Sequence, residues 1–189
     1  MNTPAHLLIG AAAFGKKDKK GTTVAAILGA LMPDLSLYVM ASVSIWVLNI
    51  SPRIVFDELY FSDAWQRVFA IDNSFVLWAL ACAVAVWQRS AIFTAFTAAA
   101  LLHLAFDLPF HTDDARAHFW PVTDWVFESP VSYWDRAAYA SIVGPFEVAL
   151  SCGAAILIWR RSEPRYILAI VAILLAAELL SSGIWQFIF

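Results

Sequence analysis

Charged residues are scarce in this sequence, and cysteine is nearly absent. Of the 189 residues only 14% are charged, whereas 61% are hydrophobic, and the mean hydropathy is +0.71. A composition this apolar is not that of a soluble globular domain. The two cysteines, Cys82 and Cys152, both lie in apolar runs, and they resemble neither a disulfide framework nor a cysteine-based zinc site.

Several common functional motifs are also missing. The sequence contains no Gly-x-Ser-x-Gly nucleophile turn, no Walker loop, no His-Glu-x-x-His and no glycine-rich dinucleotide motif. It has no basic patch with interleaved aromatic residues, and its net charge is −3. We therefore do not expect nucleic acid to be a partner.

Long apolar runs are what the sequence has in abundance. They cover about 22–50, 74–88, 91–110, 140–159 and 166–189, and a shorter run covers 4–15. A helix of about 20 apolar residues can cross the hydrocarbon core of a bilayer. The sequence thus predicts an all-α integral membrane protein, a helical bundle of about five to six transmembrane segments that forms a single domain over 1–189.

The basic residues are distributed unequally between alternate connections. Eight fall on one side: Lys16, Lys17, Lys19, Lys20, Arg89, Arg160, Arg161 and Arg165. Four fall on the other: Arg53, Arg67, Arg116 and Arg136. The positive-inside rule places the first group in the cytoplasm, which predicts a multi-pass protein of a bacterial-type inner membrane. The larger connections, at about 51–73 and 111–139, then lie on the periplasmic face, and the lysines at 16–20 contact anionic membrane lipids.

Five ionisable side chains interrupt the apolar runs: Asp34, His103, Asp107, Glu147 and Glu178. At about 1.5 Å rise per residue, all of them except Asp107 fall about 18 Å from the same end of their helices. A charge at the bilayer centre costs at least about 2.5–3.5 kcal/mol, so each of these residues needs a partner or a polar cavity. Their common depth predicts one polar site within the membrane.

The histidines point to the chemistry of that site. His103 and Asp107 are four residues apart and share a helix face, and His111 continues that face one turn later. Histidine combined with carboxylate favours zinc, manganese or iron over calcium. The alternative is that the histidine only makes an interhelical hydrogen bond.

Two acids follow prolines inside the apolar runs. Pro33 disturbs the helix ahead of Asp34, and membranes tolerate such a break where it is buried in protein or lines a watery cavity. We therefore expect Asp34 to point into the site, with a hydrogen-bonded carboxyl at a simple kink as the alternative. Glu147 follows Pro145, and a protonated, hydrogen-bonded carboxyl is its alternative. The triplet 72–74, Asp-Asn-Ser, is typical of a helix N-cap, and Asp72 or Asn73 could also line the site.

Three segments carry a family resemblance: MNTPAHLLIG, GALMPDLSLY and HLAFDLPFHTDDARAHFWP. With His6, Pro33-Asp34, His103 and Asp107, and Phe119-Trp120-Pro121, they resemble the YdjM-like family of inner-membrane proteins, described as membrane-bound metal-dependent hydrolases. The resemblance covers about the first two thirds of the chain. That family often carries Thr-His-Ser before its third helix, where this chain has Asp-Asn-Ser. The departure implies either that Asp72 replaces the histidine or that the site has lost activity.

Together these observations give a functional hypothesis: a membrane-bound metal-dependent hydrolase acting on a lipid or lipid-linked substrate. The expected ligands of a zinc or manganese ion are His6, Asp34, His103 and Asp107, with Asp72 as a further candidate. Glu147 is expected to act as general base or to orient a ligand. The expected outer mouth of the site, which would bind substrate or a second ion, comprises His111, Asp113, Asp114 and His118. Two alternatives stay open: a small ion-coupled transporter or carrier, which would need to form a homo-oligomer, and a non-catalytic membrane scaffold.

Overall fold

The computed structural model describes the backbone of residues 1–188 and the side chains of residues 1–181. Within this part all regular secondary structure is helical. The longer helices are α1 (Thr3–Phe14), α2 (Thr22–Ser42), α4 (Asp63–Asp72), α5 (Phe75–Trp87), α6 (Ala91–Asp107), α7 (Ala140–Arg160) and α8 (Arg165–Ile188). Shorter elements are α3 (Pro52–Ile54), π-helical turns at Val43–Val47 and Val55–Leu59, and a 3₁₀ turn at Arg136–Ala138.

Three helical stretches in the described part are long and apolar enough to cross a membrane. They are Thr22–Val47, Asp63–Trp87 and Ala140–Arg160, whereas α1 and α6 are shorter apolar helices. The predicted all-helical bundle is therefore confirmed, and its apolar helices are compatible with a membrane protein. The last part of the run predicted at 166–189, residues 182–189, lies outside the described side chains.

Serine side chains fix where three helices begin. The hydroxyl oxygens of Ser62, Ser74 and Ser90 accept backbone N–H groups in the first turns of α4, α5 and α6, respectively. Ser74 is thus the N-cap within the triplet 72–74, while Asp72 ends α4. Because α3, the following π-helical turn and α4 occupy most of 52–72, the connection predicted at about 51–73 is largely helical.

Helix α1 lies at the centre of the bundle. It packs against α2, α6, α7 and α8, and Leu8 and Ala11 are fully buried in the core. A helix surrounded on all sides can be apolar all round, which explains why its apolar residues follow no stripe. At its C-terminal end the Arg161 guanidinium donates to the carbonyls of Ala11, Ala12 and Gly15, and so adds hydrogen bonds where the carbonyls of a helix run out of intrahelical donors.

The loop between α6 and α7 is folded over the end of the bundle. The Ser129 N–H donates to the His111 carbonyl at 2.8 Å, and the Ser129 hydroxyl donates to the Pro109 carbonyl at 2.6 Å. The Phe75 N–H donates to the His118 carbonyl at 2.8 Å, which ties the same loop to the start of α5. These bonds hold the loop histidines above the C-terminal end of α6.

The closest approach between α2 and α6 depends on Gly29. A Cβ atom at this position would lie 1.9 Å from the Phe96 carbonyl oxygen. A small residue that lets two helix backbones approach closely stabilises helix packing in membranes, where there is little hydrophobic drive between helices. We expect Gly29→Ala to lower the midpoint of thermal unfolding in detergent by several degrees, because the backbones must separate and overpacking typically costs about 1–3 kcal/mol.

Gly153→Ala provides the matched control for this substitution. Gly153 also lies inside an apolar helix, and nothing lies within 4 Å of the Cβ that would be added. Since alanine is the better helix former by about 1 kcal/mol, this variant should unfold at the same temperature or slightly higher. Equal midpoints for the two variants would contradict the close α2–α6 contact.

Candidate metal centre

Three helices bring the polar residues of the site together. Helix α6 supplies His103 and Asp107 one turn apart, α1 supplies His6, and α2 supplies Asp34 immediately after Pro33. His111 follows one further turn along the chain from Asp107, in the loop after α6. The side chains of these residues are buried, with exposed fractions between 1% and 8%.

Three imidazoles surround the Asp107 carboxylate. His6 Nε2 lies 2.8 Å from Asp107 Oδ1, and His103 Nε2 lies 2.9 Å from Asp107 Oδ2. His111 Nε2 lies 3.4 Å from Oδ1. The same atom of each ring, Nε2, therefore points at one carboxylate.

The opposite nitrogen of two of these rings is held by an acceptor. His103 Nδ1 lies 2.7 Å from the Ala30 carbonyl oxygen, to which it must donate. His111 Nδ1 lies 2.8 Å from Asp114 Oδ2. In the ion-free arrangement His103 Nε2 also donates to Asp107 Oδ2. An ion that replaced this proton would meet a ring whose Nδ1 already donates to a fixed acceptor, as in metal-binding histidines.

His6 completes the group in a different way. Its ring stacks on that of His103, with centroids 3.7 Å apart and an angle of 12° between the planes. His6 Nδ1 is buried and has no hydrogen-bond partner among the described residues. Two stacked imidazolium ions would repel each other, so this arrangement favours at least one neutral ring.

The spacing of the donors suits a single ion. His6, His103 and Asp107 each offer an atom within 4.8 Å of the others. Ligands at about 2.0–2.2 Å from a tetrahedral zinc ion are roughly 3.3–3.6 Å apart, so small movements from the present contacts would admit an ion. A positive charge already contacts this carboxylate, because the Met1 amino group donates to Asp107 Oδ1 at 2.8 Å.

Asp34 lies at the edge of this group. Its Oδ1 is 3.7 Å from His103 Nε2, and its Oδ2 accepts the Thr3 hydroxyl at 2.5 Å. The Thr3 oxygen also lies 2.6 Å from the hydroxyl of Tyr38, a side chain that is 47% exposed. A chain of hydrogen bonds therefore connects the Asp34 carboxylate with the surface of the bundle.

A buried arginine, which sequence reasoning missed as a site residue, neutralises this part of the centre. Arg116 donates to Asn73 Oδ1 at 2.9 Å, lies 3.9 Å from Asp34 Oδ1 and covers the Phe69 ring. Burial alone would lower the pKa of Arg116, but Tyr60 and Asp34 raise it above its ordinary value, so the side chain stays charged. The sequence feature that could have indicated this role is the position of Arg116 between His111 and His118 in HTDDARAH.

Asn73, not Asp72, is the member of the triplet that contacts the centre. Its amide donates to the Pro33 carbonyl at 3.2 Å and to the Phe69 carbonyl at 3.0 Å, while its oxygen accepts Arg116. Asp72 is only half-buried. Its backbone carbonyl accepts the Trp78 indole N–H at 2.7 Å. Asn73 thus joins the break at Pro33 to the loop that carries Arg116.

The four residues predicted at the outer mouth separate into distinct positions. His111 and Asp114 adjoin the centre; burial alone would lower the pKa of His111, but Asp107 and Asp114 raise it above its ordinary value. His118 is buried, and its Nδ1 lies 2.9 Å from the Asn73 carbonyl, which anchors the loop. Asp113 is exposed and accepts the Thr112 hydroxyl at 3.0 Å.

Two further buried acids are Glu147 on α7 and Glu178 on α8. Glu147 Oε1 accepts the Asn2 N–H. Within the described part of the chain, the second carboxylate oxygens of both residues and the Ser151 hydroxyl are buried without a hydrogen-bond partner. The first residues of the chain join Glu147 to the candidate metal centre, since Met1 contacts Asp107 and Asn2 contacts Glu147.

No protein-family model, curated protein or solved structure matches this chain. The resemblance to the YdjM-like family therefore stays a prediction, and the chemistry of the site is inferred from its own geometry.

Replacing Asn73 and Asp72 separately tests which of them supports the centre. Asn73→Ala removes the Arg116 acceptor and the donor to two carbonyls, and each unsatisfied buried group costs about 1–3 kcal/mol. We expect a clearly lower midpoint of unfolding in detergent for Asn73→Ala. Asp72→Ala should change the free energy of unfolding by no more than about 0.5 kcal/mol, and a larger effect at Asp72 would contradict the assignment.

Proposed function

We propose that this protein is a membrane-bound metal-dependent hydrolase, the activity that the YdjM-like resemblance implies. The observation that carries the proposal is the convergence of Nε2 from His6, His103 and His111 on the Asp107 carboxylate. Hydrogen bonds at Nδ1 orient two of these rings before any ion binds. Burying polar side chains in an apolar bundle costs free energy. Histidines whose second ring nitrogen is held by a carbonyl or carboxylate are typical of metal centres.

The donor set favours zinc or manganese. Imidazole nitrogens and carboxylate oxygens suit these ions, whereas calcium prefers oxygen ligands alone. We assign His6, His103 and Asp107 as ligands, with Asp34 and His111 close enough to complete the coordination. A divalent ion held there would lower the pKa of water toward about 7 and polarise a carbonyl or phosphoryl oxygen.

Glu147 is the candidate general base. One of its oxygens accepts the Asn2 N–H, which fixes the carboxylate, and the other is buried with no partner among the described residues. A fixed carboxylate with one open oxygen can accept a proton from an attacking water. Asp114 and the Ala30 carbonyl orient the imidazoles, and Arg116 offsets the charge of Asp34.

A lipid or lipid-linked substrate fits the position of the centre. The centre lies at the C-terminal end of α6, beneath the loop between α6 and α7, and the Asp34–Thr3–Tyr38 hydrogen bonds connect it with an exposed side chain on α2. Exposed aromatic residues in the loop, Trp125 and Trp134, are typical of the membrane–water boundary. A substrate already in the membrane could reach this region laterally.

The proposal includes the membrane topology. Helices α1, α6 and α8 would join the three longer stretches to give five to six membrane segments. The basic residue Arg89 precedes the start of α6 and the centre lies at its other end, so the positive-inside rule places the centre on the periplasmic side of an inner membrane.

Metal content is the direct test of the centre. We expect detergent-purified protein to contain about one equivalent of zinc or manganese per chain by mass spectrometry. A His103→Ala/Asp107→Ala double variant should lose the ion, because both substitutions remove ligand atoms. Asp113→Asn, an exposed change in the adjacent loop, is the control and should keep the ion.

Circular dichroism and gel filtration would establish that the double variant stays folded. Wild-type protein that binds no ion, even after incubation with zinc and manganese, would overturn the hydrolase proposal. The carrier and scaffold hypotheses would then be the ones to pursue.

The role of Glu147 is tested separately from metal binding. Glu147→Gln should retain the ion but lower kcat by about 10²-fold or more, since loss of a general base typically costs 10²–10⁴-fold. Chromogenic p-nitrophenyl esters and phosphates are suitable first probes. Glu163→Gln is a control of similar burial, because Glu163 accepts the Thr23 hydroxyl far from the centre. Unchanged kcat in Glu147→Gln would contradict the assignment.

A further inference from the structure

A second polar site lies at the opposite end of the bundle from the metal centre. There, a cavity of about 330 Å³ opens between the α1–α2 loop and the α5–α6 loop. Three basic side chains line it: Lys16 and Lys19 from the first loop, and Arg89 from the second. Residues far apart in the sequence therefore converge on one small volume.

The positive charges of this cavity have no ion-pair partner in the described part of the chain. None of the three basic side chains forms an ion pair with any residue that the structure describes. Arg161, by contrast, is occupied with carbonyls at the end of α1. Three like charges around about 330 Å³ repel one another and favour a bound anion.

Buried hydrogen bonds hold the lysine loop in place. The Thr22 hydroxyl, which is almost fully buried, donates to the Lys19 carbonyl at 2.8 Å and accepts the Lys16 N–H at 2.9 Å. Across the cavity the Ser90 hydroxyl oxygen accepts the Phe93 N–H, which leaves the hydroxyl proton available to a ligand. A loop fixed before binding loses less entropy when a ligand arrives.

The surroundings of the cavity suit a lipid. Val86 and Ala91 line its apolar part, and the adjacent Trp87 is 82% exposed, as expected for a tryptophan at the membrane–water boundary. The cations would face the headgroup region, while the exposed apolar surface of α5 continues toward the acyl chains.

We propose that this cavity binds the phosphate of an anionic phospholipid headgroup. Lysine and arginine are the side chains that recognise phosphate, and each basic residue near an anionic lipid surface contributes about 1 kcal/mol. Free inorganic phosphate offers the same chemistry, and the membrane position of the cavity favours the lipid. This inference does not depend on the proposed hydrolase activity.

The lysine loop offers a matched pair of variants. Lys16→Gln/Lys19→Gln removes two charges from the cavity, while Lys17→Gln/Lys20→Gln removes two charges from the same exposed loop outside the lining. Arg89→Gln tests the second loop. Binding of phosphatidylglycerol and of phosphatidylcholine to the detergent-solubilised protein would be followed by native mass spectrometry, with thermal unfolding as the check on folding.

We expect wild-type protein to bind phosphatidylglycerol more tightly than phosphatidylcholine. The Kd for the first phosphatidylglycerol should rise at least about tenfold in Lys16→Gln/Lys19→Gln, severalfold in Arg89→Gln, and less than twofold in Lys17→Gln/Lys20→Gln. Equal losses in the two double variants would overturn the proposal, because they would show only diffuse attraction. So would equal affinity for the two lipids.

Inorganic phosphate is the remaining arm of the experiment. If 10 mM phosphate neither binds measurably nor displaces phosphatidylglycerol, the lipid assignment is supported. If phosphate alone binds as tightly as the lipid, with the same dependence on Lys16, Lys19 and Arg89, the cavity is a site for the free ion and the lipid assignment is wrong.

Discussion

The contact between the Asp107 carboxylate and the three histidine Nε2 atoms is the interaction on which this arrangement depends. It joins α1, α6 and the loop after α6 at one point inside an apolar bundle. A buried carboxylate without partners would be costly there, so the helices that carry its partners must meet. This requirement explains why α1, although only 12 residues long, occupies the centre of the bundle. The residues ahead of α1 lie in the same region, where Met1 contacts Asp107 and Asn2 contacts Glu147.

Local spacing predicted the part of the centre that lies on one helix. His103 and Asp107 are four residues apart, and their side chains meet at 2.9 Å, as the i, i+4 rule predicts. The polar break at Pro33 likewise predicted that Asp34 points inward, and Asp34 lies beside His103. The common depth of the acids predicted one site, whereas the described contacts of Asp107 and Asp34 do not include Glu147 or Glu178, and Glu147 instead accepts the Asn2 N–H.

Contacts between distant segments were beyond the reach of sequence patterns. Arg116 looked like one of four basic residues in a connection, because nothing in a periodic pattern reveals that Asn73 and Asp34 surround it. The composition of the triplet 72–74 predicts a helix N-cap, and Ser74 is that cap. Whether Asp72 or Asn73 faces the interior depends on how α4 packs against α2. Similarly, the segment at about 51–73 was predicted as a connection, but it contains two helices, each capped by a serine.

The two polar sites lie at opposite ends of α6, and their chemistry differs accordingly. At the start of α6, cations without an ion-pair partner in the described part of the chain surround an open cavity, which suits an anion. At its end, histidines and carboxylates are buried, paired and oriented, which suits a divalent ion. An anionic headgroup bound at the first site would hold the α1–α2 and α5–α6 loops together. Those loops fix the ends of α1, α2 and α6, the helices that carry His6, Asp34, His103 and Asp107. We therefore expect lipid binding to stabilise the bundle that positions the proposed metal ligands, without contributing a ligand atom.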